Sequence, residues 1–200
     1  LFRSDRLTGL ANRAIFLDRL GSAVRNGSVG SVAYADLDLF KKVNDEHGHE
    51  IGDLVLQEVA RRLVRSLPET ADIARFGGDE FVLFLPNVSP SQAQILLRRT
   101  LLDIAEPIEV EGRLPIVASM SIGVTALGGE APDATLRDCD MAMYAAKARG
   151  RNQVVVFGEE VRKVLDRRRE LAGAVMNLST ENRALHVQAR TDPLSGLFNR

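Results

Sequence analysis

The chain has 200 residues, 45% of them hydrophobic and 26% charged, with a formal net charge of −1. That is enough apolar material for one domain of about 150 residues plus additional segments, while near-cancelling charge without a basic block argues against nucleic acid or an anionic membrane as the main partner. A single cysteine, Cys139, excludes a disulfide framework or zinc cluster and suits a reducing cytoplasm, with Cys139 itself read as a small buried hydrophobe. No apolar run reaches the roughly 18 residues of a membrane span and no signal peptide is visible, and a chain that opens without Met and stops at Arg200 within a pattern reads as a fragment.

In chain order, Asp5 to Arg13 (DRLTGLANR) is a polar turn leading into a helix that carries Ile15, Phe16, Leu20 and Val24 at helical spacing and ends near Asn26-Gly27. Ser31 to Asp38 is a strand ending in carboxylates, and period-2 geometry puts Asp36 and Asp38 on one face. They read either as solvated strand-end residues or as part of a hard-cation site. Leu39 to Asn44 reads as a short helical turn whose first amides make an anion site, with Lys41 beside it as a point charge for phosphate and Lys42 equally explained as solvated. Asp45 to Asp53 is expected as a loop entering a helix with an apolar stripe of Leu54, Val55, Val59, Leu63 and Leu67. Asn44 and Asp53 flank that loop. Together they match the hydrogen-bonding edge of guanine, whose N1–H and exocyclic amine a carboxylate accepts; a turn Asn and a helix-cap Asp explain them as well. His47 and His49 have no Cys or third His partner and read as loop histidines.

Ile73 to Phe76 and Phe81 to Leu85 are β-prone runs joined by Gly77-Gly78-Asp79-Glu80, a hairpin signature in which glycines supply positive φ. Glycines also let a large ligand approach the backbone, so the turn is both a plain hairpin and a candidate platform. Strand-end carboxylates facing hairpin carboxylates, without His or Cys, suit Mg²⁺, which takes few protein oxygens and keeps waters or substrate phosphates. Ser89 to Ala105 is a helix, Pro107 to Val110 and Pro115 to Ala126 read as strands, Thr135 to Ala148 as a helix, and Val154 to Phe157 as a last strand. Lys147 and Arg151, four apart, would share a side if the helical turn persists; cations at a helix C-terminus also have a purely structural rationale. The expected fold class is α/β (α+β), a central mixed, mostly antiparallel sheet flanked by helices.

These motifs, Asp5 to Arg13, Asp36 to Asp53 (DLDLFKKVNDEHGHEIGD), Arg75 to Phe81 (RFGGDEF), Ser119 to Gly123 (SMSIG) and Asp140 to Asn152 (DMAMYAAKARGRN), together resemble the GGDEF domain, the catalytic domain of diguanylate cyclases, over residues 1–158. The resemblance implies a fold like the palm of adenylyl cyclases and nucleotide polymerases. It implies that Asp36 and Asp79, with the Leu37 carbonyl, ligate Mg²⁺, two ions per half-site with Mn²⁺ as a substitute. Asn44 and Asp53, with His49 nearby, would bind guanine; the amides of Leu39, Phe40 and Lys41 and the side chains of Lys41, Lys147 and Arg151 would hold the triphosphate above Gly77 and Gly78. Glu80 is implied either to assist deprotonation or to support the metal. The implied reaction joins two GTP molecules into cyclic di-GMP by attack of each 3′-hydroxyl on an α-phosphorus, with pyrophosphate leaving, in a two-fold homodimer in which each domain holds one GTP.

Residues 159–180 read as a linker helix, with Val161, Val164, Leu165, Leu171 and Val175 at roughly helical spacing. Residues 181–200 resemble the start of an EAL phosphodiesterase domain through Leu185 to Gln188, yet Arg190 to Arg200 mirrors Arg3 to Arg13, as a second GGDEF copy would. The rival function is a catalytically silent GTP-binding domain regulating a neighbouring phosphodiesterase. One departure from the family pattern bears on regulation: the Arg-x-x-Asp product-inhibition site is here Glu69-Thr70-Ala71-Asp72, with Glu in the place of Arg. Calorimetric titration with cyclic di-GMP is expected to find no tight site on this chain; saturable tight binding would contradict that reading.

Overall fold

The computed structural model describes residues 4–128, 131–159 and 161–163. Asp5 organises the opening turn, its carboxylate accepting from the Thr8 amide at 2.9 Å and the Thr8 hydroxyl at 2.7 Å. The turn delivers Ala11–Asn12 as a short strand, β1, which the sequence reading had not separated from the turn. Asn12 then caps helix α1 (Arg13–Arg25) by accepting from the Ile15 amide at 3.1 Å, a side-chain oxygen satisfying a first-turn N–H. The succeeding elements are β2 (Gly30–Leu37), α2 (Phe40–His47), α3 (His49–Ser66), β3 (Asp72–Gly77), β4 (Glu80–Pro86), α4 (Pro90–Ile104), β5 (Met120–Ala126), α5 (Pro132–Ala148) and β6 (Gln153–Val156).

The strands form a mixed sheet in the order β1-β3-β4-β2-β5-β6. Its centre is antiparallel, β3 with β4, β4 with β2 and β2 with β5, and each edge strand is parallel to its neighbour. Strand alternation sends Ala33, Ala35 and Leu37 to one face, into a core with Leu56, Val59 and Leu63 of α3 and Leu97 and Ile104 of α4. Val32 goes to the other face, with Phe16 and Leu20 of α1 and Cys139 of α5. Cys139 is fully buried, and its thiol donates to the Val32 carbonyl at 3.1 Å.

Several expectations change. Asp45 to Asp53 is not a loop: α2 continues to His47, Gly48 alone breaks the chain, and α3 starts at His49, so both histidines are helical. The α3 stripe is Val55, Leu56, Val59, Ala60 and Leu63, while Leu54 is 48% exposed because it sits one residue, about 100° of helix, off that stripe. Pro107 to Val110 is not a strand, and of Pro115 to Ala126 only Met120–Ala126 is. Pro107 and Pro115 have no N–H to donate, and between these segments a single antiparallel bridge, Ile108 to Ile116, forms. Helix α5 starts three residues early, with Pro132 at its first position, where a missing N–H costs nothing. Of the expected linker helix, residues 159 and 161–163 are helical. Its remainder and the EAL-like or repeated segment at 181–200 lie outside the described residues.

The segment after α4 is held instead by Arg62 of α3, which is 4% exposed. Its guanidinium donates to the carbonyls of Ile104 at 2.8 Å, Pro107 at 3.1 Å and Asp103 at 3.2 Å, and to Glu58 Oε1 at 2.6 Å. One buried cation thus satisfies the orphan carbonyls at a helix end while its own charge is met by a carboxylate. Hydrogen bonds from Arg61, opposed by partial burial and reinforced by Arg62, hold the Glu58 carboxyl down at about 2, against an ordinary 4.5. A depressed acid stabilises the fold above its unfolded value and loses that contribution as pH falls towards the folded one. Glu58→Gln should therefore cost on the order of 1 kcal/mol at pH 7, a figure discounted for solvent access. In urea melts that gap should close between pH 4.5 and about 2; a gap constant with pH would refute the linkage.

Candidate active site

The site gathers where β2 ends. Asp36 stands directly across from Glu80 of β4 on one side and Ser121 of β5 on the other, and the Leu37 amide donates to the Asp79 carbonyl at 3.1 Å. These pairings bring the strand-end carboxylate and the hairpin carboxylates to one place, as the cation reading requires. The connection between β3 and β4 is tighter than a four-residue turn: Gly77 pairs with Glu80, leaving Gly78 and Asp79 at the tip. Gly78 has φ 51, and a Cβ there would meet nothing within 4 Å. The left-handed conformation selects glycine, and the turn's outer surface lies open to a ligand.

Arg75 braces the tip. Its guanidinium donates to the Gly78 carbonyl at 2.7 and 3.0 Å and to Asp5 at 3.0 and 3.2 Å, tying the hairpin to the opening turn. Sequence reasoning assigned Arg75 no role, although a cation two residues before a glycine turn is the signal that would have found it. Asp38 is likewise engaged, but not with Asp79: it accepts from Ser121 Oγ at 2.7 Å, Ser119 Oγ at 3.0 Å and the Asn152 amide at 3.0 Å. Its carboxylate is a latch joining the end of β2 to β5 and the turn after α5. Of the two strand-end aspartates, then, Asp36 is the one facing the hairpin acids.

Asp36 is 8% exposed. Burial raises its carboxyl above the usual carboxylate range; the hydrogen bond from Lys147 opposes this, and the neighbouring Asp79 and Glu80 charges add to it. Lys147 Nζ lies 2.6 Å from Asp36 Oδ1. A desolvated carboxylate among others, balanced by one lysine on a flexible stem, is a donor set suited to a hard divalent cation. Among the described residues no group of three or more His, Cys, Asp or Glu side chains closes into a ready-made cage, and Mg²⁺ seldom uses one because it retains waters and shares substrate phosphates.

Helix α2 begins two residues beyond Asp38. Leu39 turns the chain with φ 58, and the Lys42 amide folds back onto the Leu39 carbonyl at 2.8 Å. The amides of Leu39, Phe40 and Lys41 come before any carbonyl that helix geometry could supply, which makes this the anion-attracting end of α2. Phe40 anchors it in the core and Lys41 is exposed; Lys42 makes an exposed pair with Glu46 at 3.6 Å. Asn44 lies within α2 rather than in a turn, and its carboxamide sits where a Cβ on residue 52 would be, so Gly52 makes room for it. Asp53 is an exposed residue within α3 rather than its cap, and exposed His49 is the first residue of α3.

Lys147 and Arg151 do not share a helix face. Helix α5 stops at Ala148, and the chain reverses through Gly150, Arg151 and Asn152, all at positive φ. Lys147 reaches Asp36, whereas Arg151 is an exposed residue of that turn. At the departed inhibition window, Glu69 is exposed and the Asp72 carboxylate accepts from Arg19 of α1 at 2.7 Å. Tyr34, also unassigned from sequence, donates its hydroxyl to Glu80 Oε2 at 3.1 Å.

Residues 3–153 match the family described as "Diguanylate cyclase, GGDEF domain". Diguanylate cyclase DgcP of Pseudomonas aeruginosa is 41% identical over 159 residues, 76% of this chain and 24% of DgcP. Cyclic di-GMP phosphodiesterase PdeR of Escherichia coli is 37% identical over 166 residues, 80% of this chain and 25% of PdeR. The chain thus spans about a quarter of the length of these relatives. The solved GGDEF domain of TpbB from Pseudomonas aeruginosa superposes with a TM-score of 0.76 at 35% identity, covering 82% of this chain and 99% of that one. A family match over residues 3–153 and a superposition over most of the chain leave the conclusion plain: the chain belongs to the GGDEF domain family of diguanylate cyclases.

Proposed function

We propose that this domain is a diguanylate cyclase half-site: it binds one GTP with divalent cations, and two such domains related by a two-fold axis condense two GTP into cyclic di-GMP and two pyrophosphates. The observation that carries this reading is the convergence of Asp36, Asp79 and Glu80 beside the amino end of α2. Oxygen donors for a cation and amides for phosphate within one strand-helix junction are what nucleotidyl transfer needs.

In this reading Asp36, the Leu37 carbonyl and Asp79 hold Mg²⁺, with Mn²⁺ able to replace it. Bound there, the cations would lower the pKa of a ribose 3′-hydroxyl and neutralise the triphosphate. The chain's own residues do the rest. Amides of Leu39, Phe40 and Lys41, with the Lys41, Lys147 and Arg151 side chains, orient the triphosphate over Gly77 and Gly78. Lys147 leaves Asp36 to do so, exchanging one anionic partner for another. Asn44 and Asp53, with His49 close by, select guanine, and Glu80 either takes the proton or supports the metal-binding carboxylates. One domain holds one GTP, so the partner domain presents the second α-phosphorus. A pool of GTP places the reaction in the cytoplasm, and among the described residues no helix is long and apolar enough to cross a membrane. The likeness to PdeR, named a phosphodiesterase, favours a second reading, a silent GTP-binding regulator of an adjacent EAL domain.

Incubation with GTP and Mg²⁺, following cyclic di-GMP and pyrophosphate across a protein series, separates the two. The rate should rise faster than linearly with protein concentration and vanish in Asp79→Ala; GTP binding without product, even in an enforced dimer, would select the regulator. A second expectation follows from Asp36, whose ionised form the metal-free fold disfavours. A raised carboxyl costs stability once pH exceeds its unfolded value of about 3.8. Asp36→Asn should thus raise the metal-free melting temperature at pH 7 by roughly 2 °C or more, with no gain at pH 3 and loss of Mn²⁺ binding. A lowered melting temperature at pH 7 would show that the Lys147 pair outweighs desolvation.

A further inference from the structure

Glu80 has a partner that the cyclase chemistry does not call for. Tyr34 lies across from Val82 and Asp36 across from Glu80, so Tyr34 and Glu80 form a diagonal cross-strand pair on the same sheet face as Asp36. The phenol hydroxyl donates to Glu80 Oε2 at 3.1 Å, engaging one of the two carboxylate oxygens. The ring is itself immobilised: it meets Phe76 edge-on at 5.8 Å and 80°, Phe76 meets Phe16 at 5.6 Å and 76°, and the Arg13 guanidinium lies 5.6 Å from the Phe76 centroid. Tyr34 and Glu80 also line a cleft of about 320 Å³ with Arg13, Phe76, Arg137 and Asp140, so solvent reaches this side of the carboxylate.

We propose that Tyr34 is a positioning residue for Glu80, fixing the rotamer of that carboxylate next to Asp36 through a hydroxyl whose ring is held edge-to-face by Phe76 and, behind it, Phe16. A glutamate is otherwise one of the side chains with most rotamer freedom to lose. An aromatic donor with its ring already packed restrains it at little further entropic cost. The inference rests on the cyclase reading for its catalytic consequence but not for its structural one, so its test carries a metal-binding readout as well as turnover.

The experiment compares wild type, Tyr34→Phe, Glu80→Gln and the double variant. Each is assayed for cyclic di-GMP formation and, with a non-hydrolysable GTP analogue, for Mn²⁺ binding by electron paramagnetic resonance. Tyr34→Phe keeps the ring on Phe76, so its melting temperature should stay within about 2 °C of wild type. Its kcat should fall about tenfold with KM for GTP within about twofold, and Mn²⁺ should bind several-fold more weakly, the scale of one hydrogen bond to a charged group. In the Glu80→Gln background the tyrosine substitution should add nothing further. Wild-type turnover and Mn²⁺ affinity in Tyr34→Phe, or losses that multiply in the double variant, would overturn the proposal. Wild-type protein that binds Mn²⁺ but makes no product would overturn the cyclase reading alone, with the Mn²⁺ titrations still deciding Tyr34; wild-type protein that binds no Mn²⁺ would overturn both.

Discussion

The pairing of β2 with β4 is the constraint on which the rest of the site depends. Strand side chains alternate, so a slip of one residue would send Asp36 into the α3–α4 core and Ala35 to the hairpin. The register is secured from both faces at once. Ala33, Ala35 and Leu37 fit only beneath α3 and α4, and Val32 only beneath α1 and α5. Because β2 is bonded to β4 on one edge and β5 on the other, neither neighbour can shift without breaking a ladder. The hydrophobic core therefore aims the carboxylates, and the site inherits the precision of the packing.

Charge is managed locally rather than by the chain as a whole. Asp36, Asp79 and Glu80 repel one another in a partly desolvated corner, and Lys147, at the end of the helix packed on the same sheet face, offsets part of that cost. Lysine suits such a place because its ammonium is a point charge on a long stem, with no fixed geometry to break when a different anion arrives. Asp38 has no such freedom. Hydroxyls and a backbone amide surround it, and it joins the end of β2 to the turn that follows Lys147.

Two arginines do for the backbone what lysine does for the site. Arg62 collects the last carbonyls of α4, and Arg75 collects the Gly78 carbonyl at the hairpin tip. Both are matched by an acid, Glu58 and Asp5 respectively. The planar guanidinium with several diverging donors serves irregular backbone that neither helix nor sheet can satisfy. Arg75 in particular links the chain's opening turn to the Asp79 tip, so distortion of one is felt at the other.

The amino-acid order alone carried the elements whose signals are local. Alternation around Val32 and Phe81, the Gly-Gly turn, the Ser89 start of α4 and the motifs from Asp36 to Asp53 identify strands, hairpin and family, because each depends on neighbours within a few residues. Signals failed where long-range contacts overrode local preference. The polar stretch after Asn44 reads as a loop, yet it is helical on both sides of Gly48, where Asn44 packs against Gly52. The apolar stretch after Pro107 reads as a strand, but Arg62 claims its carbonyl and the prolines withhold donors. Lys147 and Arg151 look like one helical face until the chain reverses between them. Which polar groups meet, Lys147 with Asp36, Arg75 with Asp5 and Tyr34 with Glu80, was decided only in the tertiary structure. Those partners lie far apart in the chain, and only strand register and the packing of helix and turn against the sheet bring them within bonding distance.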